Sequence, residues 1–408
     1  MGSGIPLLGM VALIAIAVAL SKDRRAINAR TVASAFGLLV VVAGFVLFFP
    51  PGKTLLSHLG TAVQWVIAFS QVGISFLFGD LVTDKVGFVF ALRILPIIIF
   101  FSSLMAVLYH LGIMQRVVQV IGGLFQKVIG TGRVESFCAA ANIFVSQAEA
   151  PLVVRPYIHS ISDSQLFTIM VTGMATVAGS MLAGYAAMGI QIEYLIAASV
   201  MAAPAGLMMA KILFPDTETT DDQLVEEEPK QEETDRAANV IAAAADGAAK
   251  GTKIAVNVGA MLIAFIALLS LLNGLFGLLG SAFGYGDLTF ESVLGVLFSP
   301  IAWLMGIPWQ DAQLVGNLVG KKIILNEFVA YVDFVQIKDT LSEHSQAVVT
   351  FALCGFANIA SIAVLIGSLG AIAPDRREHV ARFGLRAVAA ATLANLMSAT
   401  LASFFLSI

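Results

Sequence analysis

Long apolar runs, separated by short polar breaks, organise this chain. Apolar stretches at 5–20, 31–50, 87–109, 164–187, 191–213, 254–281, 346–371 and 384–407 are each about the length that crosses a bilayer as a helix. The run Ile5 to Leu20 has no basic segment before it and no small-residue cleavage site ahead of Ser21-Lys22-Asp23-Arg24-Arg25, so it reads as a first transmembrane helix rather than a leader. Segment 60–79 is interrupted by Gln64, Ser70 and Gln71 and reads as interfacial or partly inserted. Segment 113–130 alternates apolar residues with Gln115, Arg116, Gln119, Gln126 and Lys127, the pattern of an amphipathic surface helix. Ala-rich 237–250 reads as a second surface helix.

Two segments fit neither class. Residues 133–158 hold Glu149, Pro151, Arg155 and Pro156; residues 316–340 hold Lys321, Lys322, Asn326, Glu327 and Asp333. Each is too polar to cross and too apolar for a solvent loop. Both read as re-entrant hairpins, because irregular backbone at membrane depth survives only where it lines a cavity.

Composition agrees. Of 408 residues, 58% are hydrophobic and 12% charged, and the mean hydropathy is +0.90. A soluble domain carries about twice that share of charge. The net charge of −4 comes largely from 216–235, where ten acidic residues make a solvated linker. Nothing is basic enough to suggest nucleic acid. The cysteines, Cys138 and Cys354, lie in apolar surroundings and read as small buried hydrophobes. His58, His110, His159, His344 and His379 show no ligand spacing, and no Ser/His/Asp set stands in the spans, so an enzyme is disfavoured.

Orientation follows the basic residues. Lys22, Arg24, Arg25 and Arg30 mark one loop; Arg116, Lys127 and Arg133 a second; Arg376, Arg377, Arg382 and Arg386 a third. Stretches 188–192 and 282–310 have no Lys or Arg. The basic loops are therefore expected inside, with both termini outside and the acidic linker inside. The first hairpin then enters from inside and the second from outside.

The helix after each hairpin carries a similar string. Gly173-Met174-Ala175-Thr176 matches Gly355-Phe356-Ala357-Asn358, with Thr176 and Asn358 at the same fourth place. Glu149 lies 27 residues before Thr176, and Glu327 lies 31 before Asn358. Matching units that start on opposite faces make an inverted repeat, a transporter architecture whose site lies at the repeat interface. The expected fold is an all-α membrane protein. It has eight transmembrane helices, two re-entrant hairpins and interfacial helices. Its units are scaffold helices 1–112, an interfacial helix 113–132, a first repeat 133–213, linker and surface helix 214–252, scaffold 253–310 and a second repeat 311–408.

Glu149 and Glu327 are the candidate chemistry. A carboxylate at membrane depth costs about 2.5–3.5 kcal/mol or more unless it is paired or wetted. Salt bridges to Arg155, or to Lys321 or Lys322, are the structural alternative; acceptance of hydrogen bonds from a donor-rich solute is the functional one. Gln147 offers donor and acceptor, which suits an amide-like ring edge. Asn142 and Thr176 supply neutral oxygens, as do the backbone carbonyls of Val145, Thr176 and Val177. Such a set suits a weakly held Na+. Asn142 also suits a hairpin cap. Arg93, Tyr331 and Asp333 have no assigned role.

Three strings resemble a known family, the concentrative nucleoside transporters: Ser146-Gln147-Ala148-Glu149-Ala150-Pro151 with Arg155-Pro156, Leu325-Asn326-Glu327-Phe328-Val329-Ala330-Tyr331, and Cys354-Gly355-Phe356-Ala357-Asn358-Ile359-Ala360-Ser361. The resemblance covers nearly the whole chain. It implies a homotrimer of the plasma or bacterial inner membrane, with an elevator-like transport domain moving nucleosides with a cation, usually Na+. It implies that Gln147 and Glu149 contact the base, that Glu327, Asn358 and Ser361 hold the ribose with Phe356 nearby, and that Asn142, Val145, Thr176 and Val177 hold sodium. Ala148 and Met181 complete the implied substrate site. Uridine is the implied substrate, with adenosine and cytidine as further candidates. Two departures stand out. Ala148 replaces a common threonine, which leaves purine against pyrimidine preference open, and Thr176 replaces a common serine. Proton coupling through Glu149 or Glu327, and a channel, are the alternatives.

Overall fold

The computed structural model describes residues 4–83, 87–217, 237–282, 284 and 288–408. The described residues are helical, with no strand among them. The acidic stretch from 218 onward lies outside the described residues.

The N-terminal third forms α1 (Gly4–Ala19), α2 (Ala29–Leu47), α3 (Pro50–Phe78), the single turn α4 (Phe90–Arg93), α5 (Leu95–His110) and α6 (Ile113–Ile129). α2 starts where Asn28 accepts from the N–H groups of Arg30 and Thr31, satisfying two of the first-turn donors. α6 is the expected amphipathic helix: Met114, Val118, Phe125 and Ile129 are buried on one face, while Val120 is exposed. Gly112 and Gly130 adopt left-handed φ of 75° and 80° at its two ends, which a side chain would oppose.

The first hairpin follows as α7 (Arg133–Asn142), a turn, and a 3-10 stretch Ala150–Tyr157 that carries Pro151 and Pro156. Next come α8 (Asp163–Ala175), α9 (Gly179–Ala187) and α10 (Ile192–Leu213). α11 (Val240–Ala282) leads to α12 (Phe290–Leu304) and α13 (Trp309–Ile324), which meet at 116°. α14 (Glu327–Ile337), α15 (Glu343–Leu353), α16 (Ala360–Ile372) and α17 (Arg377–Leu406) complete the chain.

The repeat is visible in this order. A hairpin, a helix broken in its middle and a long helix occur twice, as α7 to α10 and as α13 to α17. The breaks are Thr176–Ala178 and Cys354–Ile359. The long apolar windows of α8–α9 and α10 are 94% and 89% buried, whereas those of α3 and α11 are 11% and 17% buried. The repeat units are thus the core, and α3 and α11 are its outer wall.

Several expectations need correction. Segment 60–79 is the second part of one continuous 29-residue helix, α3; Gln64, Ser70 and Gln71 do not interrupt it. The Ala-rich stretch from 240 is no separate surface helix, because it runs without a break into the apolar span as the 43-residue α11. No proline or turn-forming glycine separates them. Gly247 and Gly251 let α11 lie tightly along α5: a Cβ on Gly251 would stand 2.7 Å from Ile99 Cα. The interval 282–310 holds a helix, α12, and the second hairpin begins at Trp309 rather than 316. The string match is also out of register with the breaks. Gly173 is inside α8, which runs to Ala175, but Gly355 lies beyond α15, which ends at Leu353.

Candidate functional site

The two breaks lie against each other. The Phe356 N–H donates to Thr176 O at 3.2 Å, so backbone freed by one break is used by the other. Asn395 of α17 joins them again, with its Nδ2 donating to Ala175 O at 2.6 Å and to Cys354 O at 3.2 Å. Asn395 Oδ1 accepts from Lys322 Nζ at 2.7 Å. The fit is close enough that a Cβ on Gly355 would stand 2.3 Å from Asn395 Oδ1.

A polar chain crosses between the halves beside these breaks. Gln147, at the first hairpin tip, donates through Nε2 to Ser361 Oγ at 3.0 Å. Asn358 Oδ1 accepts the Ser361 N–H at 2.9 Å, and Asn358 Nδ2 donates to Glu327 Oε2 at 3.1 Å. Tyr185 OH donates to Glu327 Oε1 at 3.0 Å. Gln147, Ser361, Asn358 and Glu327 are all buried. Gln147 Oε1 is buried with no hydrogen-bond donor, which leaves an acceptor for an incoming group.

Four of the expected substrate residues are therefore brought together, from both halves. Glu149 stands apart from this chain. It is half-buried, and its Oε2 accepts from the Ser146 N–H at 3.2 Å and from Ser146 Oγ at 2.9 Å, closing the hairpin tip. Ala148 lies in that same tip, half-buried. Phe356 lies half-buried within the second break, and Met181 is buried in the first turn of α9.

The lysines make contacts other than the expected bridge to Glu327. Lys321 pairs with Asp333 across the second hairpin and with Glu291 of α12 at 3.4 Å. Lys322 Nζ donates to Ala352 O at 2.8 Å as well as to Asn395. Tyr331 OH donates to Thr350 O at 2.8 Å, which gives that residue a structural role.

The expected ion residues also converge. Asn142 ends α7, and its Nδ2 reaches Thr172 Oγ1 at 3.4 Å. Thr172 sits one turn before Thr176, whose hydroxyl donates to Thr172 O at 2.9 Å. Asn142 Oδ1 is buried with no donor. A buried oxygen without a partner is costly, and a small cation would satisfy it. The Gly179 N–H donates to Phe144 O at 3.0 Å, holding the break containing Val177 against the tip containing Val145. The residues present fit a sodium ion.

Sequence reasoning missed Tyr185, Thr172 and Asn395, and it singled out Lys322 with a different partner. Thr172 carried a signal, since it lies four residues before Thr176 on one helix face. Tyr185 and Asn395 carried none, because their partners lie 142 and 220 residues away.

A cavity of about 670 Å³ lies between the first hairpin and the wall formed by α5 and α11. Glu149, Phe144, Val145 and Ser180 face it from the repeat side, and Tyr109, Asp246 and Lys250 from the wall. It reaches the hairpin tip at Val145 and Glu149.

Family models match along the chain: "Na+ dependent nucleoside transporter" at its N-terminus over residues 8–81 and at its C-terminus over 194–403, and "Nucleoside recognition" over 91–191. The "Nucleoside permease NupC" of Helicobacter pylori is 46% identical, covering 98% of this chain and 97% of its own. Solved structures of CNTnw are 52% identical. An inward-facing, substrate-bound state matches with a TM-score of 0.94 over 99% of this chain and 98% of that one. An intermediate state matches with 0.96 over 99% of each.

Proposed function

Since the chain belongs to the concentrative, Na+-dependent nucleoside transporter family, we propose that it imports nucleosides by symport with Na+, holding both at the paired breaks. It is a multi-pass membrane transporter of the elevator type, not an enzyme. The observation that carries the finer reading is the polar chain from Gln147 through Ser361 and Asn358 to Glu327. It mixes donors and acceptors, it is buried, and it draws on both halves.

In this reading Gln147 and Glu149 meet the base. Gln147 Oε1 is free to accept a ring N–H or amino group. Glu327, Asn358 and Ser361 meet the ribose hydroxyls, where a carboxylate is the strongest available acceptor. Ala148, Phe356 and Met181 supply apolar contact. Asn142 and Thr176 side chains, with the carbonyls of Val145, Thr176 and Val177, hold Na+. An ion there pins the first hairpin to α8, and the solute then bridges the hairpin to the second break in place of the Gln147–Ser361 bond. The hairpin–broken-helix units, 133–213 and 311–408, are the moving body, with 1–112 and 253–310 as its frame.

Glu327→Ala is expected to remove uptake of labelled uridine into proteoliposomes under a Na+ gradient while the protein stays monodisperse. Uptake at the unmutated rate would overturn the site. Adenosine and cytidine are tested in parallel, since Ala148 offers the base no hydroxyl.

A second reading has a specific support. Glu327 is buried and its hydrogen-bond partners, Tyr185 and Asn358, are neutral, so its carboxylate is a candidate proton carrier. Replacing Na+ by choline at fixed pH separates the two: loss of accumulation supports sodium, and retention supports protons.

The apolar faces of α3 and α11 are largely exposed, open to lipid or to further copies of the chain, and the family resemblance implies a homotrimer. Native mass spectrometry is expected to give three copies of the 42.9 kDa chain. A monomer retaining transport would overturn that assignment.

A further inference from the structure

The two repeat units each break a helix beside the shared site but neutralise its end differently. The last carbonyls of a helix have no partner within it and form the negative end of its dipole. In the first unit that end belongs to α8. It is met by Asn142, the last residue of the preceding hairpin arm α7, through Thr172 in the last turn of α8. Asn142 is neutral, and its Oδ1 lacks a donor.

In the second unit the negative end belongs to α15. It is met by Lys322, in the last turn of the equivalent arm α13, whose Nζ donates to Ala352 O in the last turn of α15 at 2.8 Å. Lys322 is 1% exposed, among the most buried large side chains of the protein. Its other partner is the Asn395 amide oxygen, at 2.7 Å. Both are neutral oxygens, the kind of ligand that otherwise surrounds a weakly held monovalent ion. A lysine at this depth with a carboxylate partner would be an ordinary buried ion pair. Here the Glu327 carboxylate attracts Lys322 electrostatically from beyond ion-pair distance, and every hydrogen bond of the ammonium is directed to backbone and amide dipoles at a helix end.

The two places are also joined. Lys322 binds Asn395 Oδ1, and Asn395 Nδ2 binds Ala175 O, the terminal residue of α8. A hydrogen-bond chain therefore runs from the lysine to the break that carries the ion site.

We propose that the Lys322 ammonium is the resident cation of the second repeat unit. It stands where the first unit takes its coupling ion, so that one broken helix is permanently neutralised and only the other is switched. This rests on the sodium reading of the Asn142 site. It would leave a single site for a coupling ion in a protein with two related breaks.

The test uses purified full-length protein with Lys322→Gln, which keeps an N–H donor but removes the charge, and Lys322→Arg, which keeps the charge. Melting temperature and uridine uptake are measured against Na+, with choline holding ionic strength constant. Lys322→Gln is expected to melt lower than the unmutated protein in choline and to recover as Na+ rises. Its uptake is expected to steepen with Na+, from a Hill coefficient of about 1 toward about 2, as a second ion enters. Lys322→Arg is expected to keep the unmutated Na+ dependence. Two results would overturn the proposal: a Lys322→Gln titration that superimposes on the unmutated one, or a Lys322→Gln protein that is lost equally in choline and in high Na+ while Lys322→Arg is recovered. If the unmutated protein shows no response to Na+, the Asn142 reading falls by itself. The Na+ response of Lys322→Gln then still decides the role of Lys322.

Discussion

Glu327 has its two oxygens engaged by different halves of the repeat: Tyr185 comes from α9, and Asn358 from the second break. The Tyr185 ring is fully buried against Tyr331, at 4.4 Å between centroids, and Phe328, at 5.5 Å. The ring therefore holds its place without its hydroxyl. Tyr185→Phe is expected to leave the fold intact and to remove one hydrogen bond to a carboxylate, worth about 1.5–3 kcal/mol. If that bond orients Glu327 for the ribose, KM for uridine rises roughly 10- to 100-fold. An unchanged KM in proteoliposome uptake would show that Asn358 alone sets the carboxylate. Gln147, Glu327, Asn358 and Ser361 were legible in the sequence because each is a polar residue in an apolar run, where it needs a reason. Tyr185 was not, because an aromatic in a small-residue helix reads as packing. Lys322 was legible as an anomaly but not in its partner. The sequence offers Glu327 five residues away, whereas the oxygens it binds are Ala352 and Asn395.

At the level of elements, the hairpins were legible from their prolines and interrupted hydropathy, whereas 164–187 and 346–371 each read as one span and only the structure shows the breaks within them. Element ends were not legible either. Hydropathy marks where apolar surface starts, and α11 starts well before it, as a polar and Ala-rich helix packed on α5. Its packing depends on small residues. A Cβ on Gly247 would stand 2.6 Å from Ala106 Cβ and 2.7 Å from Ser102 O, and one on Gly251 would stand 2.8 Å from Ser102 Cβ. Close backbone approach of this kind, with glycines four apart, is a common way for membrane helices to associate. Gly251→Leu is expected to push α11 off α5 and to cost about 1–3 kcal/mol or more, read as a lower melting temperature in detergent. Gly274→Leu is the control, because a Cβ there meets nothing within 4 Å and α11 should be unaffected. The string match between the halves belongs to this scale too. It identified two related units correctly, yet its register disagrees with the helix ends. The second break is longer, with Asn358 at its far side and Thr176 at the near side of the first. That difference gives the two polar residues their separate tasks: Thr176 closes the end of α8, and Asn358 binds the start of α16 through the Ser361 N–H.

For the whole molecule, the cavity between the first hairpin and the α5–α11 wall is where the proposed motion is expected to show. In the proposed division the frame and the moving body face each other there, so displacement of one against the other would change the cavity's width. Leu152 of the hairpin lines this cavity and is 48% exposed. The natural cysteines, Cys138 and Cys354, are both buried and contribute little background to thiol labelling. In Leu152→Cys, a polar maleimide is expected to react from the face at which the first hairpin enters, which the basic loops place inside. Reaction should slow when uridine and Na+ hold the moving body in its other position, and Na+ alone should change it less. The same experiment with Glu327→Ala separates motion from binding, because on the proposed sites Na+ would still bind while the solute would not bridge the halves. A labelling rate that ignores both ligands would mean that the hairpin and the wall move together. The transported solute would then have to pass through a gate in a fixed frame rather than ride with the body that binds it.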